Sequence, residues 1–193
     1  NARVQLWIQG ASEGITVAGG NGYGDDNNQT AYPAFIFVDS NKNLYVNSGD
    51  YIVMIVGGPN ARKDYHYNET EELFYQLEGE ITVYIQDNGE KKAMKLTAGD
   101  MFLLPAKIPH SPSRNEGSIG LVVERKRDGK DIPDGLLWYC ENCNHKLYEV
   151  YFELHDIEKD FLAHFNHFYN SEELRTCEKC GTVMESDERF VTK

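Results

Sequence analysis

The sequence predicts a mainly β chain, a barrel of short strands followed by one helix and two cysteine-bearing turns. Three observations lead there. Apolar runs of strand length recur between residues 51 and 123, punctuated by Gly, Asn and Asp. Two histidines and a glutamate, His66, Glu72 and His110, fall within that region at metal-ligand spacing. All four cysteines form two Cys-x2-Cys pairs, Cys140/Cys143 and Cys177/Cys180.

Residues 1–46 read differently from the rest. Gly10, Gly14, Gly19, Gly20, Gly22 and Gly24 lead into the polar run Asp25-Asp26-Asn27-Asn28-Gln29. The pattern Arg3-Val4-Gln5-Leu6-Trp7, Thr16 to Gly24, Tyr32-Pro33 and Phe37 to Val46 resembles a single NHL-type propeller repeat. One blade cannot bury its own faces, so this segment is either NHL-repeat-like or irregular. The barrel is expected over 47–135. Tyr51–Val56 reads as a buried strand, and Glu80–Gln86 alternates Ile81, Val83 and Ile85 with polar partners. Asp87-Asn88-Gly89-Glu90 supplies a hairpin turn of type I′. Met101–Leu104 and Ile119–Val123 complete the set. A four-cysteine region follows over 136–184. Within it Ile157, Phe161, Phe165 and Phe168 fall at helical spacing behind an Asp156 cap. Residues 185–193 read as a frayed tail.

Charge excludes several partners. Nineteen Lys and Arg against 31 Asp and Glu give a net charge of −12. Nucleic acid and anionic membrane surfaces want clustered cations, so neither is expected as a partner. The one basic cluster, Arg125-Lys126-Arg127, reads as a solvated loop. No apolar run approaches the roughly 18 to 20 residues that span a bilayer, and no signal peptide is evident. The expectation is a soluble, cytoplasmic protein.

The two ligand clusters call for different chemistry. Two imidazoles and one carboxylate on neighbouring barrel strands cap one face of an octahedral ion. The other face stays open to substrate and oxygen, as in non-haem Fe(II) oxygenases. Four thiolates instead complete a tetrahedron, which marks a structural iron or zinc site. Each knuckle continues with turn-forming residues, Cys143-Asn144-His145 and Cys180-Gly181.

The segments His66-x5-Glu72-x6-Gly79 and Gly99-x5-Pro105-x4-His110 are similar to the two motifs of the cupin barrel, a double-stranded β-helix or jelly roll. Common cupins carry a second histidine before the glutamate, where this chain has Tyr67 and Asn68. Longer strings carry a closer resemblance. Gly57-Gly58-Pro59-Asn60-x-Arg62-x-Asp64-Tyr65-His66, Glu72-x-Phe74-Tyr75-Gln76-Leu77-x-Gly79, Pro109-His110-Ser111-Pro112-x-Arg114, Val123-Glu124-Arg125 and Trp138-Tyr139-Cys140-x2-Cys143 resemble the 3-hydroxyanthranilate 3,4-dioxygenase family. They resemble its bacterial and fungal branch, whose C-terminal extension holds a rubredoxin-like metal. The resemblance implies Fe(II) at His66, Glu72 and His110. It also implies O2 and 3-hydroxyanthranilate as substrates and a ring-opened amino-carboxymuconate semialdehyde as product. That places the reaction in tryptophan catabolism through kynurenine toward quinolinate and pyridine nucleotides.

Glu124 is implied as a catalytic carboxylate on the substrate's hydroxyl or amine, and a homodimer is implied as the assembly. Arg62 lies four residues before His66 and Arg114 four after His110, so both are expected to grip the substrate carboxylate. Two other functions remain open on the sequence. One is a cupin dioxygenase for another small aromatic acid. The other is an inactive cupin within an NHL-repeat interaction protein.

Overall fold

A computed structural model describes residues 3–6, 15–19, 35–38, 44–48, 50–127, 132–155 and 157–191. Most of the NHL-like segment and the Asp156 cap lie outside the described residues. In chain order the elements begin with β1 (Arg3–Leu6), β2 (Ile15–Gly19), β3 (Phe35–Val38) and β4 (Leu44–Ser48). The barrel strands are β5 (Tyr51–Gly57), β6 (Tyr65–Tyr67), β7 (Glu72–Glu78), β8 (Glu80–Asp87), β9 (Glu90–Thr97), β10 (Met101–Leu104), β11 (His110–Arg114) and β12 (Ile119–Arg125). Then come β13 (Asp134–Tyr139), β14 (Lys146–Phe152), α1 (Ile157–Tyr169) and α2 (Glu172–Arg175).

Two six-stranded sheets form the barrel walls, in the orders β10-β7-β12-β5-β4-β3 and β14-β13-β6-β11-β8-β9. This is the cupin double-stranded β-helix with a C-terminal helix. Among the described residues, strands β1 and β2 pair only with each other, whereas β3 and β4 extend the first wall through β4–β5 pairing. The expected boundary at 46/47 therefore falls inside β4.

Alternation along the strands makes the core. Phe74, Ile81, Val83, Leu96, Leu104 and Val122 point inward from five strands and are buried together. Each such side chain contributes about 1.5–3 kcal/mol on burial. Asn88 and Gly89 both take positive φ in the β8–β9 turn, the type I′ geometry expected from Asn-Gly.

A second cluster joins the helix to the other wall. Phe161, Phe165, Phe168 and Tyr169 recur at helical spacing on α1 and pack on Leu136 and Trp138 of β13. Trp138 and Phe168 stack with ring centroids 4.4 Å apart. The segment after the cysteines is docked rather than frayed. Phe190 lies 4.8 Å from the Phe165 ring and 5.6 Å from that of Tyr169. An aromatic of this size gains too much from a greasy helix face to stay in water.

Candidate metal centre

The fold delivers the three predicted ligands from both walls. His66 on β6 and His110 on β11 are cross-strand partners in one sheet. Glu72 opens β7 in the other, where it pairs with Glu124 of β12. One ligand atom from each of His66, Glu72 and His110 lies within 4.8 Å of the others. His110 Nε2 stands 3.1 Å from Glu72 Oε2. Its Nδ1 faces the Ile108 carbonyl at 3.2 Å, so Nδ1–H donates there and Nε2 is turned to the ligand cluster.

Behind the ligands lies a closed set of buried polar contacts. Asn68 Nδ2 donates to Glu72 Oε2 at 3.3 Å and to Glu124 Oε2 at 3.4 Å. Arg127 grips Glu124 with both terminal nitrogens, at 3.1 and 3.2 Å. The same guanidinium donates from Nε to Asp134 Oδ2 at 2.7 Å. Asp134 Oδ1 in turn lies 2.7 Å from His66 Nε2. The basic cluster is thus not a solvated loop throughout. Arg127 is buried, because two interior carboxylates flank it and its charge is needed there.

These charges set the ionisation of the site. Burial pushes Glu72 toward its neutral form, but His110, then His66 and Arg127, outweigh it and hold the carboxyl below the usual range. Burial disfavours the charged His110 ring, yet Glu72 beside it raises its pKa. Glu124 is raised, chiefly by burial, with Arg127 opposing. Two imidazoles and one carboxylate, backed by further buried carboxylates that Arg127 and Arg114 offset in part, are a donor set that fits a divalent first-row metal.

Arg114 and Arg62 are placed unequally despite their equal offsets. His110, Pro112 and Arg114 share one face of β11, so Arg114 points into the barrel and is only 4% exposed. Its guanidinium occupies space left by Gly120, where an added Cβ would come within 2.7 Å of NH1. NH1 is buried and has no hydrogen-bond partner among the described residues. Burial lowers the Arg114 pKa to about 10, with Glu72 pulling the other way. Arg62 lies instead in the loop ahead of β6. It pairs loosely with Asp64 at 3.4 Å and lies over the Phe161 and Phe165 rings of α1. There it lines an outer cleft of about 410 Å³ with Tyr65, Tyr84 and Tyr139, which contains none of the three ligands.

The four cysteines also converge. Their sulfurs lie within 4.8 Å of one another, with Cys140–Cys180 and Cys143–Cys177 at 3.6 Å. That is far beyond a disulfide and close to the ~3.8 Å edge of a tetrahedron with metal–sulfur bonds of about 2.3 Å. The knuckles are built alike. Asn144 N–H bonds the Cys140 carbonyl at 2.9 Å, and Gly181 N–H the Cys177 carbonyl at 2.8 Å. Asn144 and Gly181 both take positive φ, a conformation that Asn and Gly adopt most readily. Contacts with Thr182 hold the Cys180 thiol down to about 5, while burial and the three neighbouring sulfurs push Cys143 up to about 12, so the crowded thiols share protons that a metal would displace.

A family model for 3-hydroxyanthranilic acid dioxygenase matches residues 32–169. The chain belongs to this family. The match begins ahead of Gly57, where the first of the quoted strings starts, and so includes β3 and β4. A Xanthomonas campestris pv. campestris (strain 8004) protein named 3-hydroxyanthranilate 3,4-dioxygenase is 54% identical over 148 residues, 77% of this chain and 84% of that one. A Bacillus cereus (strain ATCC 10987 / NRS 248) protein of the same name is 40% identical over 146 residues, 75% and 80% of the two chains. The 3-hydroxyanthranilic acid dioxygenases are metal-dependent, in keeping with the donors assembled here.

Three residues of this site escape a sequence reading. Asn68 could have been found, because it stands where cupins place a further histidine. Arg127 was masked by its two basic neighbours. Asp134 follows Ile132-Pro133 at no ligand spacing, and only the pairing of β13 with β6 brings it to His66.

Proposed function

We propose that this chain cleaves 3-hydroxyanthranilate with O2 at one Fe(II) held by His66, Glu72 and His110, giving the ring-opened semialdehyde. The observation that carries the reading is a cluster of three donors, Glu72 and His110 buried and His66 partly so, beside a separate buried cation, Arg114, whose NH1 has no hydrogen-bond partner among the described residues. When bound, iron supplies the oxygen chemistry and leaves positions for a chelating amine and hydroxyl. Arg114 binds the substrate carboxylate and fixes which ring edge faces the metal. Arg62, in the loop ahead of β6, is the second proposed contact, with the smaller effect. Glu124 receives the phenolic proton. Its oxygens offer about four lone-pair directions. Asn68 and the two Arg127 nitrogens take three of them. Burial raises its basicity for that task. In the four-cysteine site we propose a structural iron or zinc.

Arg114→Ala should weaken binding of the acid by about 1.5–3 kcal/mol, roughly ten- to a hundredfold, with iron content unchanged. The control is 2-aminophenol, which keeps the chelating pair and lacks the carboxylate. Oxygen uptake should show wild type preferring the acid and the variant losing most of that preference. Unchanged discrimination would remove Arg114 from the reading.

A homodimer is proposed as well. Met101 and Leu103 on edge strand β10 are 69% and 61% exposed. They lie in register with Tyr75 and Leu73 of β7, which in turn pair with Leu121 and Val123 of β12. This outward sheet face is apolar enough to seek a second copy. No helix among the described residues is long and apolar enough to cross a membrane.

A further inference from the structure

We infer that Asp134 is the positioning residue for His66, presenting its Nδ1 to the metal, and that Arg127 links this ligand to Glu124. The inference rests on the reading that His66, Glu72 and His110 hold the metal. Each imidazole has two nitrogens, and the contact made by one decides what the other can do. For His110 the backbone carbonyl of Ile108 takes Nδ1, leaving Nε2. For His66 the arrangement is reversed. Asp134 Oδ1 takes Nε2 at 2.7 Å, so the nitrogen left for a metal is Nδ1. Two ligands of one kind thus bind through different nitrogens because different groups stand behind them.

Asp134 is suited to this task and poorly explained otherwise. It is wholly buried, where an uncompensated carboxylate is costly, and its two oxygens are divided between His66 and Arg127. A carboxylate serving only to neutralise Arg127 would use both oxygens on the guanidinium fork, as Glu124 does. Asp134 instead meets Arg127 at Nε with one oxygen and turns the other to the ring. Arg127 is therefore a rigid spacer between a metal ligand and the carboxylate proposed to contact substrate. Moving either end strains the other. Phe161, with its ring 5.7 Å from that of His66, leaves the imidazole little room to turn.

Two measurements test this on the whole chain. The first needs no mutation. In protein carrying 15N-labelled histidine and loaded with Zn(II), long-range 1H–15N correlation spectra report which ring nitrogen holds the metal. We expect Nδ1 for His66 and Nε2 for His110, and coordination of His66 through Nε2 would overturn the inference. The second compares Asp134→Asn with wild type by Co(II) titration, after one equivalent of Zn(II) has filled the four thiolates. The variant should bind Co(II) about ten- to a hundredfold more weakly, the usual effect of losing a group behind a ligand. Equal Co(II) affinity with only a lower melting temperature would make Asp134 merely structural and sink the proposal. His110→Ala separates the two levels. Co(II) affinity lost in His110→Ala but kept in Asp134→Asn removes only the Asp134 role. Affinity kept in both removes the metal-site reading as well. Should Asp134→Asn fail to fold, the wild-type spectra decide alone.

Discussion

The two ligand clusters of this molecule solve opposite problems. The cysteine site uses four donors from two short turns, and each turn is made by its own backbone hydrogen bonds. The barrel site uses three donors from three strands in two sheets, and a ring of buried Asn, Arg and Asp holds them. Four thiolates fill a tetrahedron and leave nothing to react. Three donors leave an octahedral ion half open, which is useful only if the open half is lined by groups such as Arg114 and Glu124. A closed site can be local and partly exposed. An open one needs burial, charge balance and a second layer of residues. The two also meet mechanically. The cysteines anchor the chain at the end of α1–α2, and α1 carries Phe161, which rests against His66.

The sharpest way to break the contrast is to remove one donor from each site. Glu72→Gln should lose the barrel metal and lower turnover about a thousandfold, as expected when metal stabilisation worth several kcal/mol disappears. Its melting temperature should move far less than that of a cysteine variant. Cys177→Ser should do the reverse. Loss of a structural metal removes about 4 kcal/mol or more, lowering the melting temperature by about 10 °C, while turnover per bound iron stays near wild type. Calorimetry with iron assay checks both, and matched losses in the two variants would erase the distinction.

Smaller changes sharpen the open site. Gly120→Ala puts a Cβ where Arg114 NH1 now lies, so the guanidinium must shift. The KM for the acid should rise about tenfold with iron content unchanged, since a displaced carboxylate contact costs roughly 1.4 kcal/mol or more. Steady-state oxygen uptake checks this. Smallest of all should be Met101→Glu on the outer sheet face, which ought to weaken self-association in light scattering and leave KM within about twofold of wild type, as surface changes usually do.

The contrast also explains what the sequence could show. The cysteine knuckles were legible in full, because ligands and turn residues sit within a few positions of one another. Four of the barrel strands, β5, β8, β10 and β12, were legible from apolar runs or alternation, and the three candidate metal donors from the cupin-like spacing. What could not be read was the layer behind them. Arg127 looks solvated until β12 carries Glu124 to Glu72, and Asp134 becomes a neighbour of His66 only through the β13–β6 pairing. The equal offsets of Arg62 and Arg114 likewise do not translate into equal placement. One lies in a loop and the other on a strand, so equal distance along the chain gave different directions in space.

The central claim is that the three-donor site performs the oxygen chemistry and the four-cysteine site supports the fold. Its most direct test is 18O2 labelling of a single turnover by wild type, His110→Ala and Cys177→Ser, each loaded anaerobically with Fe(II) and given 3-hydroxyanthranilate. The expected result is a ring-opened product carrying both atoms of one O2 from wild type and from Cys177→Ser, and no product from His110→Ala. Labelled product from His110→Ala, or none from wild type with iron bound at His66, Glu72 and His110, would contradict the account.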